Sequence, residues 1–217
     1  EANIAKGYEF MVITDHSQSL RVANGLQVER LLRQNEEIKQ LNKEYDEIDI
    51  YSGIEMDILP DGSLDYDDEI LAQLDYVIAA IHQSFNQSEA EIMQRLENAC
   101  RNPYVRHIAH PTGRIIGRRP GYEPNIEKLA QLAEETNTIL EINANPKRLD
   151  LNAQTVRQYP NVKLTINTDA HHVDHLEFMK YGVATAQKGF VTKDRVINTM
   201  SREAFKSFIK DNKKLKK

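Results

Sequence analysis

The sequence is short of the features that mark special classes of protein. Its one cysteine, Cys100, excludes an internal disulfide and fits a reducing compartment. Its longest apolar runs, such as "YVIAAI", fall far below the roughly 20 residues a helix needs to span a bilayer. No basic segment leads into an apolar stretch at the start, so no secretory signal is expected and the cytoplasm is the default. No low-complexity block interrupts the chain, which excludes a largely disordered protein. With 28 Lys and Arg against 33 Asp and Glu, the net charge of −5 excludes a polyanion binder that uses its whole surface. It leaves room for a local basic groove, or for cations recruited to a phosphate site. An N-terminal Met is also missing. "EANIAKGYEF" reads as the back half of a helix, a stop at Gly7 and then a strand, so the chain is expected to be an N-terminally truncated piece of a larger polypeptide.

What is present is an alternation. Strand-like runs occupy 8–14, 48–59, 75–81, 104–109, 138–143 and 162–167. Helical patterns fill 25–44, 88–100, 125–136 and roughly 152–158, with further helices near 174–188 and 201–210. Strand, helix, strand, helix predicts one α/β domain over 1–217 built on a parallel sheet or barrel. The basic tail "KDNKKLKK" is expected to fray.

The strand ends carry the chemistry. "VITDH" closes on Asp15 and His16, "YSGIEMD" carries Glu55, "VIAAIH" closes on His82, "RHIAH" on His110, and "TINTDAHH" on Asp169 and His171. In parallel α/β folds the C-terminal strand ends meet at one mouth, where active sites sit. Each His alone is weak evidence, since a His after a strand is usually a satisfied polar group. Imidazoles and carboxylates crowded together are costly unless a cation compensates them. The mixed nitrogen and oxygen donors suit Zn, Mn or Fe better than Ca or Mg.

Other residues are set aside. His107 lies three before His110 and is expected to be structural or solvated; His172 and His175 open a helix and are expected at the surface. Asp57 reads as a polar strand-end residue. "DILPDGSLDYDD" lacks the spacing of a calcium loop and reads as a turn at Asp61–Gly62 with a solvated acidic face. In "HPTGRIIGRRPGY" Arg114 is favoured as a phosphate-gripping catalytic group, with Arg118 and Arg119 left open between substrate and solvent. In "EINANPKRLDL" Glu141 and Asn143 are candidates to orient ligands, and Asn145 and Arg148 to touch substrate; helix entry with a salt bridge is the equal alternative there.

Taken in order, "ITDHS", "GIEMDIL", "DGSLDYDDEILAQLDYVIAAIH", "HPTGR", "EINANPKRLDL" and "NTDAHH" span nearly the whole chain. The set resembles the PHP (polymerase and histidinol phosphatase) superfamily, most closely the C-terminal PHP domain of bacterial family X DNA polymerases. The resemblance implies a distorted seven-stranded (β/α) barrel of TIM-like kind. It implies up to three divalent metals, Mn2+ or Zn2+, in the mouth, and 3′→5′ exonuclease and related end-processing of DNA in repair. It also implies a covalently linked N-terminal polymerase domain. By the same resemblance Glu55 would bridge two metals, His82 and His110 would complete the second, Asp169 would hold the first, and His16 and His171 the third. Asp15, beside His16 in sequence, is a candidate to support a ligand or touch substrate. The family's first motif, a His-x-His pair on strand one, has no counterpart here. That implies a barrel short of its first strand, first and third metal sites short of ligands, and activity that needs the missing part. Two rival functions remain: a phosphatase for small phosphate monoesters of the histidinol phosphatase kind, and a non-catalytic module that braces a polymerase or binds DNA.

Overall fold

The computed structural model describes residues 1–215, with side chains through Lys210. Six strands form one all-parallel sheet in chain order: β1 Phe10–Ile13, β2 Asp49–Asp57, β3 Tyr76–Ala80, β4 Val105–Ile108, β5 Ile139–Asn143 and β6 Leu164–Asn167. Each lies inside a run expected from the sequence. Sequential order in a parallel sheet requires a crossover of the same hand each time, which is the winding of a barrel. The sheet curls accordingly. Flat, with strands about 4.8 Å apart, it would hold β1 and β6 more than 20 Å from each other. Instead His16, just past β1, and His171, just past β6, have ring centroids 6.0 Å apart. The result is a six-stranded, TIM-like half-barrel.

The crossovers are α2 Val28–Glu44, the single turn α3 Asp68–Leu71, α4 Glu89–Arg101, α5 Ile126–Thr136 and α6 Ala153–Gln158, after the short α1 Ala2–Ala5. Their starts are specified locally. Ser88 and Glu91 close a capping box on α4, and the side chains of Asn125 and Asn152 accept the backbone N–H of Lys128 and Thr155. Leu31, Ile92, Leu96, Leu129 and Val156 bury the inner stripes of these helices against the outer face of the sheet. Two elements differ from expectation. α3 has no signature in the sequence because four residues show no period, and the first part of 174–188 is a 3-10 turn, Val173–Phe178, before α7 Met179–Lys188.

The inside of the barrel is sealed at one end. α8 Arg202–Leu215 lays Phe205 and Ile209 against Phe10, Tyr76 and Ile139, residues from the beginnings of β1, β3 and β5. Phe10 stacks on Phe205 with centroids 4.1 Å apart, and the Arg106 guanidinium donates to the carbonyls of Phe208 and Ile209. The expected frayed tail is helical to Leu215; Lys216 and Lys217 lie outside the described residues. With the N-terminal strand ends covered, the C-terminal ends are left as the open mouth. Among the described residues no helix is long and apolar enough to cross a membrane.

Candidate metal centre

At that mouth three of the expected histidines converge on one expected carboxylate. Glu55, in β2, lies with Oε1 2.8 Å from His110 Nε2 and 3.3 Å from His82 Nε2, and Oε2 3.6 Å from His16 Nδ1. Ligand atoms of His16, Glu55 and His82 all lie within 4.8 Å of one another. The backbone holds this geometry directly. Glu55 N–H donates to Asp15 O and Ser17 N–H to Glu55 O, which locks His16 beside Glu55. His110 sits just beyond β4 at φ 29°, and Asp169 just beyond β6 at φ 51°, both in the left-handed region that non-glycine residues seldom occupy.

The electrostatics ask for a cation. Burial pushes the Glu55 carboxyl up, but the His110 and His82 contacts outweigh it and hold it well below the usual range. Burial alone would depress His82, yet Asp57 and Glu55 raise it to about 9. His16 is lowered, by burial above all. The carboxylates that raise His82 would favour any cation bound beside it. His16 Nδ1 and His82 Nε2 are buried and lack a hydrogen-bond partner although both face Glu55 within ion-pair distance. Orphaned imidazole nitrogens around a carboxylate fit a divalent metal of the nitrogen-tolerant kind.

A second tier supports these groups. Asp57, read from sequence as a mere strand-end polar residue, is buried and pairs with His82 Nδ1, leaving Nε2 for the site. That is the carboxylate–histidine arrangement that fixes a ligand's tautomer. Glu141 Oε2 accepts His110 N–H at 2.7 Å and Asn143 Nδ2–H at 3.2 Å, while Oε1 accepts Asn167. Burial, then the nearby Asp169, pushes Glu141 up to about 8. Asn143 also donates to Asp169 Oδ2 at 3.1 Å.

Other expected residues lie elsewhere. The Asp15 side chain turns away and accepts Gln34 at 2.7 Å, so only its carbonyl serves the cluster. Asp169 lies at the side of the mouth between Arg148, whose Nε is 3.5 Å from Oδ2, and His171, whose Nδ1 is 3.6 Å from Oδ1. His171 itself is exposed at the rim.

Arg114 departs most from expectation. Its Nε donates to Arg148 O at 2.8 Å and its Nη2 to Leu149 O, so its fork is spent on backbone carbonyls. Arg119 likewise donates to Gly113 O and lies over the Phe85 ring. Gly113 itself, at φ 64°, lies where a Cβ would come within 2.4 Å of the Tyr122 ring. Arg148 is the cation left facing the mouth, with Nη1 buried and unpartnered. His107 is structural: fully buried, 3.1 Å from Thr165 Oγ1, and pushed by burial down to about 3.

The chain is 55% identical over 214 residues to "DNA polymerase/3'-5' exonuclease PolX" of Bacillus subtilis (strain 168), covering 98% of this chain and 38% of that relative. It is 27% identical over 222 residues to a "Probable phosphatase" of Thermoanaerobacter sp. (strain X514), covering 96% of this chain and 85% of the relative. It is 31% identical over 142 residues to a "Probable phosphatase" of Acetivibrio thermocellus, covering 64% and 54%. No protein-family model matches the chain. These matches bear out the resemblance read in the sequence motifs.

Proposed function

We propose, from a resemblance to the PHP domains of bacterial family X DNA polymerases that holds across 98% of the chain, that this is a metal-dependent phosphodiesterase domain. It acts on DNA 3′ ends in repair, in the cytoplasm, joined in its parent protein to a polymerase domain. The observation that carries the reading is the set of imidazoles gathered on the buried Glu55, with two ring nitrogens buried and unpartnered.

Mn2+ or Zn2+ would be held by His16, Glu55, His82 and His110, with further metal at Asp169 and His171, and would supply Lewis-acid charge to the phosphate and to an attacking water. The chain's own residues do the rest. Asp57 keeps His82 presented through Nε2. Glu141 fixes His110 by its backbone N–H. Asn143 orients Asp169, and Arg148 reaches past Asp169 to grip a non-bridging phosphate oxygen, the role expected of Arg114. Arg114 acts behind it by anchoring the 148–149 backbone.

The names of the more distant relatives favour, weakly, a second reading: a phosphatase for small monoesters. The two separate in one assay. With Mn2+, release of nucleotides from a 5′-labelled single strand should far exceed phosphate release from p-nitrophenyl phosphate. Turnover of the monoester with an intact DNA strand would reject the nuclease reading.

A further inference from the structure

We propose that the rim beyond His171 is a base-stacking platform for the drawn-out single-stranded 3′ end of DNA, a proposal that rests on the phosphodiesterase reading above. Four aromatic rings run outward from the mouth along the Val173–Phe178 turn into α7. His172 and His175 have centroids 6.2 Å apart, His175 and Phe178 are stacked at 4.8 Å, and Phe178 and Tyr181 lie at 6.3 Å. The ladder is tied to the site, since His171 N–H donates to His175 Nδ1 at 3.2 Å. Its outer end is open: Tyr181 is 41% exposed, with the Lys180 ammonium 5.3 Å from its ring centroid.

Charge on this rim is mixed: Asp174 pairs with His172, Glu177 with Lys6, and Lys180 stands beside Tyr181. Further cations lie beyond Asp169, on the arginine side. There Arg118 and Lys147 are exposed, and the two loops run together because Ile116 N–H donates to Lys147 O at 2.7 Å. A strand crossing the mouth would lay its phosphates on the arginine side and its bases on the aromatic side. His175 and Phe178 cover each other and brace the row, while His172 and Tyr181 are exposed and leave ring faces for bases. Such faces take the unpaired bases of a single strand, which a duplex keeps stacked inside itself. Stacking on aromatic side chains is sequence-tolerant, because every base has a π-face.

The test is equilibrium binding in EDTA, which removes catalysis from the readout. Anisotropy of a 5′-labelled oligothymidylate is compared with that of the same strand carrying abasic residues at its 3′ end. For the wild type, removing the bases should raise Kd about 10-fold. Tyr181→Ala should raise Kd several-fold for the intact strand and leave the abasic strand unchanged, while Tyr181→Phe should bind like the wild type. Arg118→Ala should weaken both strands alike. Equal affinity of the wild type for intact and abasic strands overturns the platform, as does a Tyr181→Ala loss that is the same on both. Hydrolysis of bis(p-nitrophenyl) phosphate with Mn2+ reports the metal centre separately. Its absence would count against the phosphodiesterase reading while the binding result stands by itself.

Discussion

His107 and His110 sit three residues apart on and just beyond one strand, yet one belongs to the packed interior and the other to the open mouth, and they show how differently the two are built. His107 points into a sealed interior, where burial keeps it neutral and Phe205 of α8 closes the space below. His110 lies at the mouth against a carboxylate held ionised by its imidazole neighbours. The closed end gains its stability from apolar contact. The open end concentrates polar groups that cost stability unless a cation joins them. Each end can therefore be damaged without the other.

The largest effect expected is at the closed end. Phe205→Ala removes a buried ring that stacks on Phe10 and should cost about 3–4 kcal/mol in denaturant unfolding. Metal affinity of the folded fraction should not change; a matching loss of metal would mean the two ends are coupled.

At the open end, Arg148→Ala should lower hydrolysis of DNA ends by about 2–3 kcal/mol in transition-state stabilisation with metal content intact. Arg114→Ala should lower it less and lower thermal stability as well, because its fork holds the Arg148 and Leu149 carbonyls. The reverse ranking would restore Arg114 as the phosphate clamp.

Asp57→Asn should weaken metal binding about 10–100-fold, roughly 1.4–2.7 kcal/mol, by releasing the tautomer of His82. Unchanged affinity would leave Asp57 as the plain strand-end residue the sequence suggested.

That last contrast shows what a sequence of this kind makes legible. The alternation of strands and helices is written in apolar periodicity, and His or acid at successive strand ends is visible because strands in a parallel barrel all point one way. Direction within a strand end or loop is not written there. Asp57 and Asp15 look alike as terminal acids, but one is buried on His82 and the other accepts Gln34 in solvent. Arg114 lies nearer to His110 in sequence than Arg148 does, yet the loop turns its guanidinium onto backbone. The sequence also left α3 unread, since a single turn has no period to detect.

The smallest effect concerns the closed end's edge. Arg202 of α8 holds the Asp49 carboxyl at 2.7 Å and depresses it below its ordinary value. A depressed carboxyl stabilises the fold above its unfolded pKa of about 4 and loses that contribution as pH falls through the lower folded value. Being partly exposed, the pair should contribute about 0.5 kcal/mol. The stability difference between Asp49→Asn and the wild type should appear at pH 7 and vanish in strong acid, with metal binding unaffected. A difference that persists unchanged in acid would assign it to packing instead.

The central claim is that Glu55 and the imidazoles around it form a metal centre. Calorimetric titration of Mn2+ or Zn2+ into metal-stripped protein tests it most directly, with wild type and Glu55→Ala side by side. The account predicts saturable binding by the wild type, with proton release as His82 gives up its proton, and affinity lower by at least about 100-fold in Glu55→Ala. Equal binding by the two proteins, or none by the wild type, would contradict it.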